Sequence, residues 1–313
     1  MISPLYSRMN TAFPLFTNFP DDDAFETIVI GGGPAGCACA LWLHKLGVRA
    51  WLVEASDALG GLQRRSPYEN LWIPGVMGHS GEEVARALHH HIHVIGVPCH
   101  LNSRVSRIEA ADGGFRVRVE GGTERGHYRT QHLVIATGTQ PVTGHFRQAH
   151  NVAIGPGYPM ENLEVGNRKI AILGGGDNAF DQARFVLQRG AKSVTIYSRT
   201  PPRAQTVLQA MIPQARVCIG PYTADQASMI VNEEVFDAFG VMYGFEAQLP
   251  DGLDQDLELK NENGFIAVNR QGETVLSGLW ACGEVTDYWH PCVTTSAAHG
   301  IQVAKQISLR LGR

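Results

Sequence analysis

Two glycine-rich turns, each placed between a strand pattern and a helical pattern, most strongly constrain the fold of this 313-residue chain. The first follows a short β-branched strand pattern at 26–31; after it, apolar residues recur at helical spacing over 34–46, and a second strand pattern covers 48–54. The second lies between a strand pattern at 169–173 and a helical pattern at 177–188, and a further strand pattern covers 193–197. Strand, helix and strand in this order pair in parallel. The sequence therefore predicts an α/β fold with two Rossmann-like, three-layer ββα nucleotide-binding domains.

The first turn has the pattern G-x-G-x-x-G, formed by Gly31, Gly33 and Gly36. Where a strand meets a helix N-terminus, backbone amides and the helix dipole face a pyrophosphate, and a side chain at these positions would block that approach. Glu54 ends the next strand, where its carboxylate can accept both ribose hydroxyls. The alternative, a tight turn without a ligand, does not account for Glu54.

The second turn predicts a second pyrophosphate site. It fits the variant of the pattern with alanine in the last position, and its residues are Gly174, Gly176, Asp177, Asn178 and Ala179. At the strand end that corresponds to Glu54 stands Tyr197, followed by Ser198, Arg199 and Arg203. An acid there would repel a 2′-phosphate, whereas an arginine binds it in two places, so this half favours NADPH over NADH. The alternative is that both arginines are solvated surface charges.

Charge and hydropathy exclude two classes of partner. The 26 lysines and arginines against 30 aspartates and glutamates give a net charge of −4, the opposite of what nucleic-acid phosphate attracts. No window approaches the roughly 18 consecutive apolar residues of a membrane helix. We therefore predict binding neither to nucleic acid nor to membranes.

The cysteines and histidines argue against a structural metal. The six cysteines form no CxxC pair, so we predict reduced thiols and a cytoplasmic protein. The run of histidines at 89–91, with His93, lies in a helical pattern over 82–95 that spreads the imidazoles around several faces, and no metal site is predicted.

The remaining C-terminal segment has two strand patterns, at 264–268 and 278–283, and a helical pattern at 294–309. These three elements are too few to form a third domain. We expect them to complete the first one.

The order and spacing of these motifs resemble the low-molecular-weight thioredoxin reductase family of flavoproteins. The resemblance covers nearly the whole chain from residue 26 and rests on the two glycine turns, on Ala136-Thr137-Gly138, on the stretch 278–287 around Gly283, and on 295–300. It implies an FAD domain split by an inserted NADPH domain, and a homodimer. The implied segments are an N-terminal extension at 1–25, an FAD domain at 26–142 and 244–313, and an NAD(P)H domain at 143–243. Hinges are expected near 140–145 and 240–246.

The resemblance also implies binding residues. Those for FAD are Gly31, Gly33, Pro34, Ala35, Gly36, Glu54, Ala55, Gly61, Gln63, Val105, Thr137, Gly138, Gly283, Glu284, Val293 and Thr294. Those for NADPH are Gly174, Gly176, Asp177, Asn178, Ala179, Ser198, Arg199 and Arg203.

The chain departs from this family at its redox-active CxxC. Counting back from Gly174 without gaps places the two cysteines at Gly157 and Met160, so the dithiol is missing. A thiol relay needs a thiolate and a resolving partner, and these residues supply neither. In addition, Glu284 stands where the family has aspartate.

We therefore predict an FAD-dependent NADPH oxidoreductase whose flavin passes electrons directly to ferredoxin, flavodoxin or a small molecule. Two alternatives stay open: a ferredoxin-fed or thiol-linked disulfide reductase, and a flavin-binding protein without turnover. No catalytic residue is assigned firmly, because the flavin carries the chemistry. Cys292, placed by the resemblance near the flavin pyrimidine, and His290 are candidates, and each has a packing role as its alternative. Cys37 and Cys39 are interpreted as buried thiols.

Overall fold

A computed structural model describes residues 24–122, 125–253, 259–287 and 290–313. The predicted extension therefore lies outside the described residues except for its last two. Among the described residues, no helix combines the length and apolar character that a membrane crossing requires.

The first sheet is built around four parallel strands: β1 (Ala24–Ile30), β2 (Ala50–Val53), β3 (Cys99–His100) and β6 (Gly126–Ile135). Helices α1 (Pro34–Lys45) and α2 (Gly81–Ile95) belong to the same unit. α2 starts sharply because Ser80 and Glu83 form a capping box, and it ends at Gly96, which adopts a left-handed conformation. The first strand–helix–strand unit is present as predicted.

Strand β6 pairs with β1 along one edge and with two different strands along the other. Its first half pairs antiparallel with β5 (Gly114–Gly121), which pairs with β4 (Ser103–Ala111). Its second half pairs in parallel with β17 (Leu279–Ala281), a strand near the C-terminus. The C-terminal segment therefore returns to the first sheet, as predicted. α6 (Val293–Arg310) then packs against α1, and Gly300 makes this approach possible, because a Cβ there would lie 2.1 Å from the carbonyl oxygen of Ala35.

One predicted strand is wrong. Residues 264–268 form no regular strand; only Ile266 makes isolated bridges, to Lys260 and to Thr286. The preceding turn is the reason, since Asn261 accepts from the Gly264 amide and donates to the Phe265 carbonyl. The chain reverses there before a ladder can extend.

The second sheet has five parallel strands in the order β11 (Arg216–Ile219), β10 (Ser193–Ser198), β9 (Lys169–Leu173), β15 (Ala238–Val241) and β8 (Val152–Ile154). Helix α4 (Asp177–Gln188) connects β9 and β10 and buries Phe180 and Ala183 against them. Short helices α3 (Tyr158–Glu161) and α5 (Thr206–Ala210) and a small meander of β12 (Ala224–Asp225), β13 (Ile230–Val231) and β14 (Glu234–Val235) complete this unit.

The two units are joined by a two-stranded ribbon. β7 (Thr139–Pro141) leaves the first sheet, β16 (Phe245–Ala247) returns to it, and the two pair antiparallel. Beside them the Val142 amide donates to the Gly244 carbonyl at 2.9 Å. Both predicted hinge segments overlap this ribbon. The boundaries at 142/143 and 243/244 stay predictions.

Candidate functional site

A cavity of about 630 Å³ lies at the carboxyl edge of the first sheet. Strands β1, β2, β6 and β17 end there, and the residues that follow each end line or flank the cavity. In open α/β sheets ligands bind at this edge, and volumes of roughly 300–1,000 Å³ are typical of ligand pockets.

Most of the residues predicted for the first cofactor meet in this cavity. Those that line it are Gly31, Gly33, Pro34, Ala35, Glu54, Ala55, Gly61, Gln63, Val105, Thr137, Gly138, Glu284 and Val293. Gly36 and Gly283 lie behind the wall, while Thr294 is exposed outside it. Their role as ligands stays a prediction.

Each of the three positions of the first turn is glycine for its own physical reason. A Cβ on Gly36 would lie 1.9 Å from the Gly31 carbonyl oxygen, and Gly31 itself has φ of 103° and a Cβ position 2.5 Å from the Ala136 carbonyl oxygen. These two are required by the fold. A Cβ on Gly33 would meet nothing nearer than the Gly61 Cα at 4.0 Å, and its φ of −72° suits any residue. The space beside Gly33 is therefore open to a ligand, and the turn fits a dinucleotide pyrophosphate at the N-terminus of α1.

The Glu54 carboxylate is buried beside this turn. It accepts hydrogen bonds from the Gly32 amide at 2.6 Å, the Ser56 amide at 2.7 Å and the Ser56 hydroxyl at 2.6 Å. A carboxylate offers about four lone-pair sites. One lone-pair site of the carboxylate is left. If the Ser56 hydroxyl gave up its hydrogen bond, a second site would be free, and the two together could accept from both hydroxyls of a ribose.

The C-terminal wall of the cavity contains two titratable groups whose pKa values are shifted by burial. His299, which is 1% exposed, accepts from the Gly283 amide at 3.2 Å, and burial lowers its pKa to about 4. Burial also raises the pKa of Glu284, against the smaller opposing effect of a hydrogen bond from the Thr139 hydroxyl at 3.2 Å. Thr139 begins the inter-unit ribbon, so Glu284 connects the cavity to that ribbon.

Residues 248–251 form a further wall of the cavity that the sequence did not predict. The Thr137 hydroxyl donates to the Gln248 carbonyl, and Arg104 pairs with Asp251 at 2.9 Å. These residues reach the cavity because β16 pairs with β7, a contact between segments about a hundred residues apart in sequence. The alternating pattern of β16 is too short to have indicated it.

The second glycine turn ends β9 and opens α4. A Cβ on Gly174 would lie 2.1 Å from the Met242 carbonyl oxygen, whereas a Cβ on Gly176 would meet nothing within 4 Å. Gly176 has φ of −92°, so this turn repeats the open position found at Gly33. Asp177 and Asn178 are exposed at the helix start and Ala179 is buried beneath it. The amides of Asp177 and Asn178 precede the first helical hydrogen bond, in which the Ala179 amide donates to the Gly176 carbonyl at 3.0 Å. The two leading amides therefore suit a second pyrophosphate.

The three polar residues predicted at and after the end of β10 differ in how freely their side chains can contact a ligand. Arg199 and Arg203 are exposed, and the Arg203 amide donates to the Gly175 carbonyl at 2.8 Å. Ser198 is buried, and its hydroxyl donates to the Thr200 carbonyl at 2.6 Å. Ser198 therefore shapes the turn, and its role as a direct ligand stays a prediction.

We predict that Arg199→Ala weakens NADPH and spares NADH. A charge-assisted contact to a phosphate contributes roughly 1.5–3 kcal/mol, so KM for NADPH should rise about tenfold or more. Steady-state kinetics with both nucleotides measures this. An equal loss with both would show that Arg199 supports the fold instead of binding the phosphate.

The positions that correspond to the missing dithiol form a packed contact between the two units. Met160 is fully buried, and a Cβ on Gly157 would lie 2.3 Å from the Arg65 carbonyl oxygen. The Tyr68 hydroxyl donates to the Gly157 carbonyl at 3.3 Å, and its ring packs on Phe185 with centroids 5.1 Å apart. Gly157 and Met160 are the two positions to which the family resemblance assigns the redox-active cysteines.

The remaining cysteine and histidine candidates are not among the residues that line the cavity. Cys37 and Cys39 are buried, as predicted. Cys292 is exposed at the N-cap of α6; burial opposes its ionisation, but hydrogen bonds from the Thr295 hydroxyl and from the Thr295 and Thr294 amides prevail and lower its pKa. His290 is exposed, with φ of 41°.

The histidine run follows α2 as predicted. His90, His91 and His93 are exposed, and the half-buried His89 accepts from the Leu59 amide at 3.2 Å. Within the described ranges, no group of three metal-ligating side chains lies together.

Two glycine turns at the carboxyl edges of two sheets, the first mixed and the second parallel, with one large cavity at the first, fit a two-domain flavin- and pyridine-nucleotide-dependent oxidoreductase. The family model of the pyridine nucleotide-disulphide oxidoreductases matches residues 25–305. The chain belongs to this family.

Several relatives resemble the chain over most of its length. The ferredoxin–NADP reductase of Streptococcus sanguinis (strain SK36) is 26% identical over 292 residues, which cover 85% of this chain and 87% of the relative. That of Ligilactobacillus salivarius (strain UCC118) is 26% identical over 304 residues, 86% of each chain.

Solved structures share the fold. Thioredoxin reductase of Lactococcus lactis in its FR conformation has a TM-score of 0.76 at 21% identity, covering 91% of this chain and all but 1% of its own. Thioredoxin reductase of T. acidophilum has a TM-score of 0.75 at 17% identity, covering 93% and 100%. The predicted fold class, the resemblance and the assignment as an FAD-dependent oxidoreductase with FAD and NADPH as cofactors are thereby confirmed.

Proposed function

We propose that this enzyme takes electrons from NADPH through FAD to a small one-electron carrier protein of the ferredoxin or flavodoxin type, without a protein dithiol. The observation that carries the proposal is the packed contact at Gly157 and Met160, which leaves no thiol relay at that place. The names of the relatives, ferredoxin–NADP reductase, support the same acceptor class. A small-molecule acceptor is the alternative.

The residues of the chain divide the work between binding and placement. The α1 N-terminus and Gly33 would hold the FAD pyrophosphate, Glu54 its adenosine ribose, and the segment around Gly283 and Glu284 the other end. The α4 N-terminus and Gly176 would hold NADPH. When bound, FAD accepts two electrons as a hydride and can release them singly. The protein therefore supplies position, and the buried walls of the cavity exclude water.

The two predicted properties of the whole molecule belong to this proposal. A homodimer follows from the family resemblance. A cytoplasmic location follows from six cysteines without a CxxC pair, which suits a compartment that keeps thiols reduced.

Anaerobic titration of the FAD-loaded enzyme with NADPH tests the proposal. Because no dithiol accompanies the flavin, about one equivalent of NADPH per FAD should bleach the flavin completely, and a one-electron carrier should then reoxidise it. The measurements are the visible flavin spectrum during the titration and, in turnover, the reduction of added ferredoxin or flavodoxin. Lack of bleaching would support the flavin-binding protein without turnover.

Cys292→Ser is the matched control, because Cys292 is the only exposed one of the six cysteines, directly precedes Val293 of the cavity lining, and has a lowered pKa. Serine keeps the small polar volume and removes thiolate chemistry. The variant should titrate as the parent does. If the parent consumed two equivalents and the variant one, the thiol-linked disulfide reductase would replace our proposal.

A further inference from the structure

The Arg199 side chain is held by aromatic rings instead of a carboxylate. Its guanidinium carbon lies 5.3 Å from the centroid of the Tyr243 ring and 5.7 Å from that of the Tyr222 ring. Both distances are within the roughly 6 Å over which a cation is attracted to a π face. No ion pair formed within the described part of the chain includes Arg199.

The carboxylate that contacts the neighbouring Tyr197 is already paired. Glu234 accepts from the Tyr197 hydroxyl at 3.4 Å and is paired with Arg216. A carboxylate on Arg199 would compete with a phosphate for the same N–H donors, whereas a π face occupies none of them. Arg199 is therefore fixed without losing its charge or its donors.

The two tyrosines support each other. The Tyr222 hydroxyl donates to the Tyr243 hydroxyl at 3.2 Å, and the Tyr222 ring packs on the buried Tyr197 with centroids 5.4 Å apart. Burial, followed by this hydrogen bond, raises the pKa of Tyr222 far above its ordinary value. Both half-buried rings thus stay in place, and the Tyr222 phenol stays neutral across physiological pH.

The three residues come together through the topology of the second sheet. Arg199 follows β10, Tyr222 lies shortly after β11, and Tyr243 lies shortly after β15, all at the carboxyl edge where Gly174 opens the second turn. Ligands of parallel sheets bind at this edge. The two tyrosines thus lie on the same side of the sheet as the dinucleotide turn.

We propose that Tyr222 and Tyr243 are positioning residues that hold the Arg199 guanidinium for a ligand with a 2′-phosphate on its adenosine ribose. The inference rests on the proposed function, because it specifies how that function selects NADPH over NADH. Tyr243 also packs against the chain crossing at Gly144 and Phe146. The phosphate-binding arginine is thereby attached to the segment that joins the two units.

Replacing Tyr243 by leucine and, separately, by phenylalanine tests the inference with the FAD-loaded enzyme. Tyr243→Leu removes the π face and should raise KM for NADPH about tenfold, with NADH changed less than about twofold. Tyr243→Phe keeps the ring and loses only the hydroxyl contact, so it should recover most of the affinity. Tyr222→Leu should act in the same direction as Tyr243→Leu. Flavin content and circular dichroism establish that each variant is folded.

Calorimetry gives a readout that does not depend on turnover. Adenosine 2′,5′-bisphosphate should bind Tyr243→Leu about tenfold more weakly than the parent, while adenosine 5′-monophosphate should bind both alike. In an Arg199→Ala background the same tyrosine change should have no further effect, because the cation that it positions is gone.

Two results would overturn the inference. An unchanged NADPH-to-NADH ratio in both leucine variants would show that the rings do not position Arg199. Equal losses for both nucleotides would show that the rings contact adenine or support the unit. The parent protein could bind the bisphosphate selectively while NADPH fails to reduce its flavin. That result would contradict the proposed function and leave this inference standing.

Discussion

Replacing Gly33 by valine should leave the chain folded and reduce its FAD content to below about a tenth of that of the parent. The backbone at Gly33 is extended, and the position of its Cβ is open apart from the Gly61 Cα at 4.0 Å. The valine side chain would therefore enter the space of the pyrophosphate and not the protein interior. The added cost is a poorer cap for α1, on the order of 1 kcal/mol. Flavin absorbance per mole of purified protein, beside a circular dichroism spectrum, measures both parts.

Two control variants separate the ligand from the fold. Gly176→Val makes the same change at the open position of the second turn, so it should keep FAD and lose NADPH binding. Gly36→Ala should instead unfold the first unit, because its Cβ would lie 1.9 Å from the Gly31 carbonyl oxygen. Full flavin content in Gly33→Val would disprove the assignment of the first turn.

Acid should destabilise the protein through His299 well before the carboxylates titrate. In the folded chain burial lowers the pKa of His299 to about 4, whereas an unfolded histidine has a pKa of about 6.5. Above pH 6.5 both states are neutral and the group has no effect. As the pH falls from about 6.5 to about 4 the unfolded state takes up the proton first, so the free energy of unfolding should drop by up to about 3 kcal/mol. Urea unfolding across this range measures the decrease.

His299→Asn isolates this contribution. The asparagine oxygen can accept from the Gly283 amide in place of the imidazole nitrogen but does not titrate. Burial also lowers the pKa of His132, which adds a decrease of the same sign in both proteins. The parent should therefore lose more stability than the variant between about pH 6.5 and pH 4. Parallel pH profiles would show that His299 does not control the acid response.

The parts of the site that follow strand ends could be predicted from sequence. These parts are the two turns, Glu54 and the two ends of α4. They lie in short segments next to points where the spacing of apolar residues changes from two residues, typical of a strand, to 3.6, typical of a helix. Since the carboxyl ends of parallel strands meet at one edge, the residues after β1, β2 and β6 converge without further information.

The rest depended on contacts between distant segments. The cavity wall at 248–251 and the stack of Arg199 on Tyr222 and Tyr243 form only when the sheet brings separate strand ends together. Nor does a glycine pattern distinguish Gly33, which faces open space, from Gly36, which the fold itself requires. The predicted strand at 264–268 was wrong because the turn formed by Asn261 and Gly264 reverses the chain before a ladder can extend.

The ribbon of β7 and β16 determines how the two glycine turns, each a proposed dinucleotide site, approach each other. The chain passes between the two units twice, and both passages run through this one pair of strands. A hydrogen bond joins Val142 to Gly244 beside them. A nucleotide held at the second turn is therefore tethered to the flavin cavity, at an effective concentration on the order of millimolar for a short linker. Hydride delivery is then an intramolecular event whose frequency is independent of how much enzyme is present. Dilution affects only the capture of NADPH and the encounter with the acceptor.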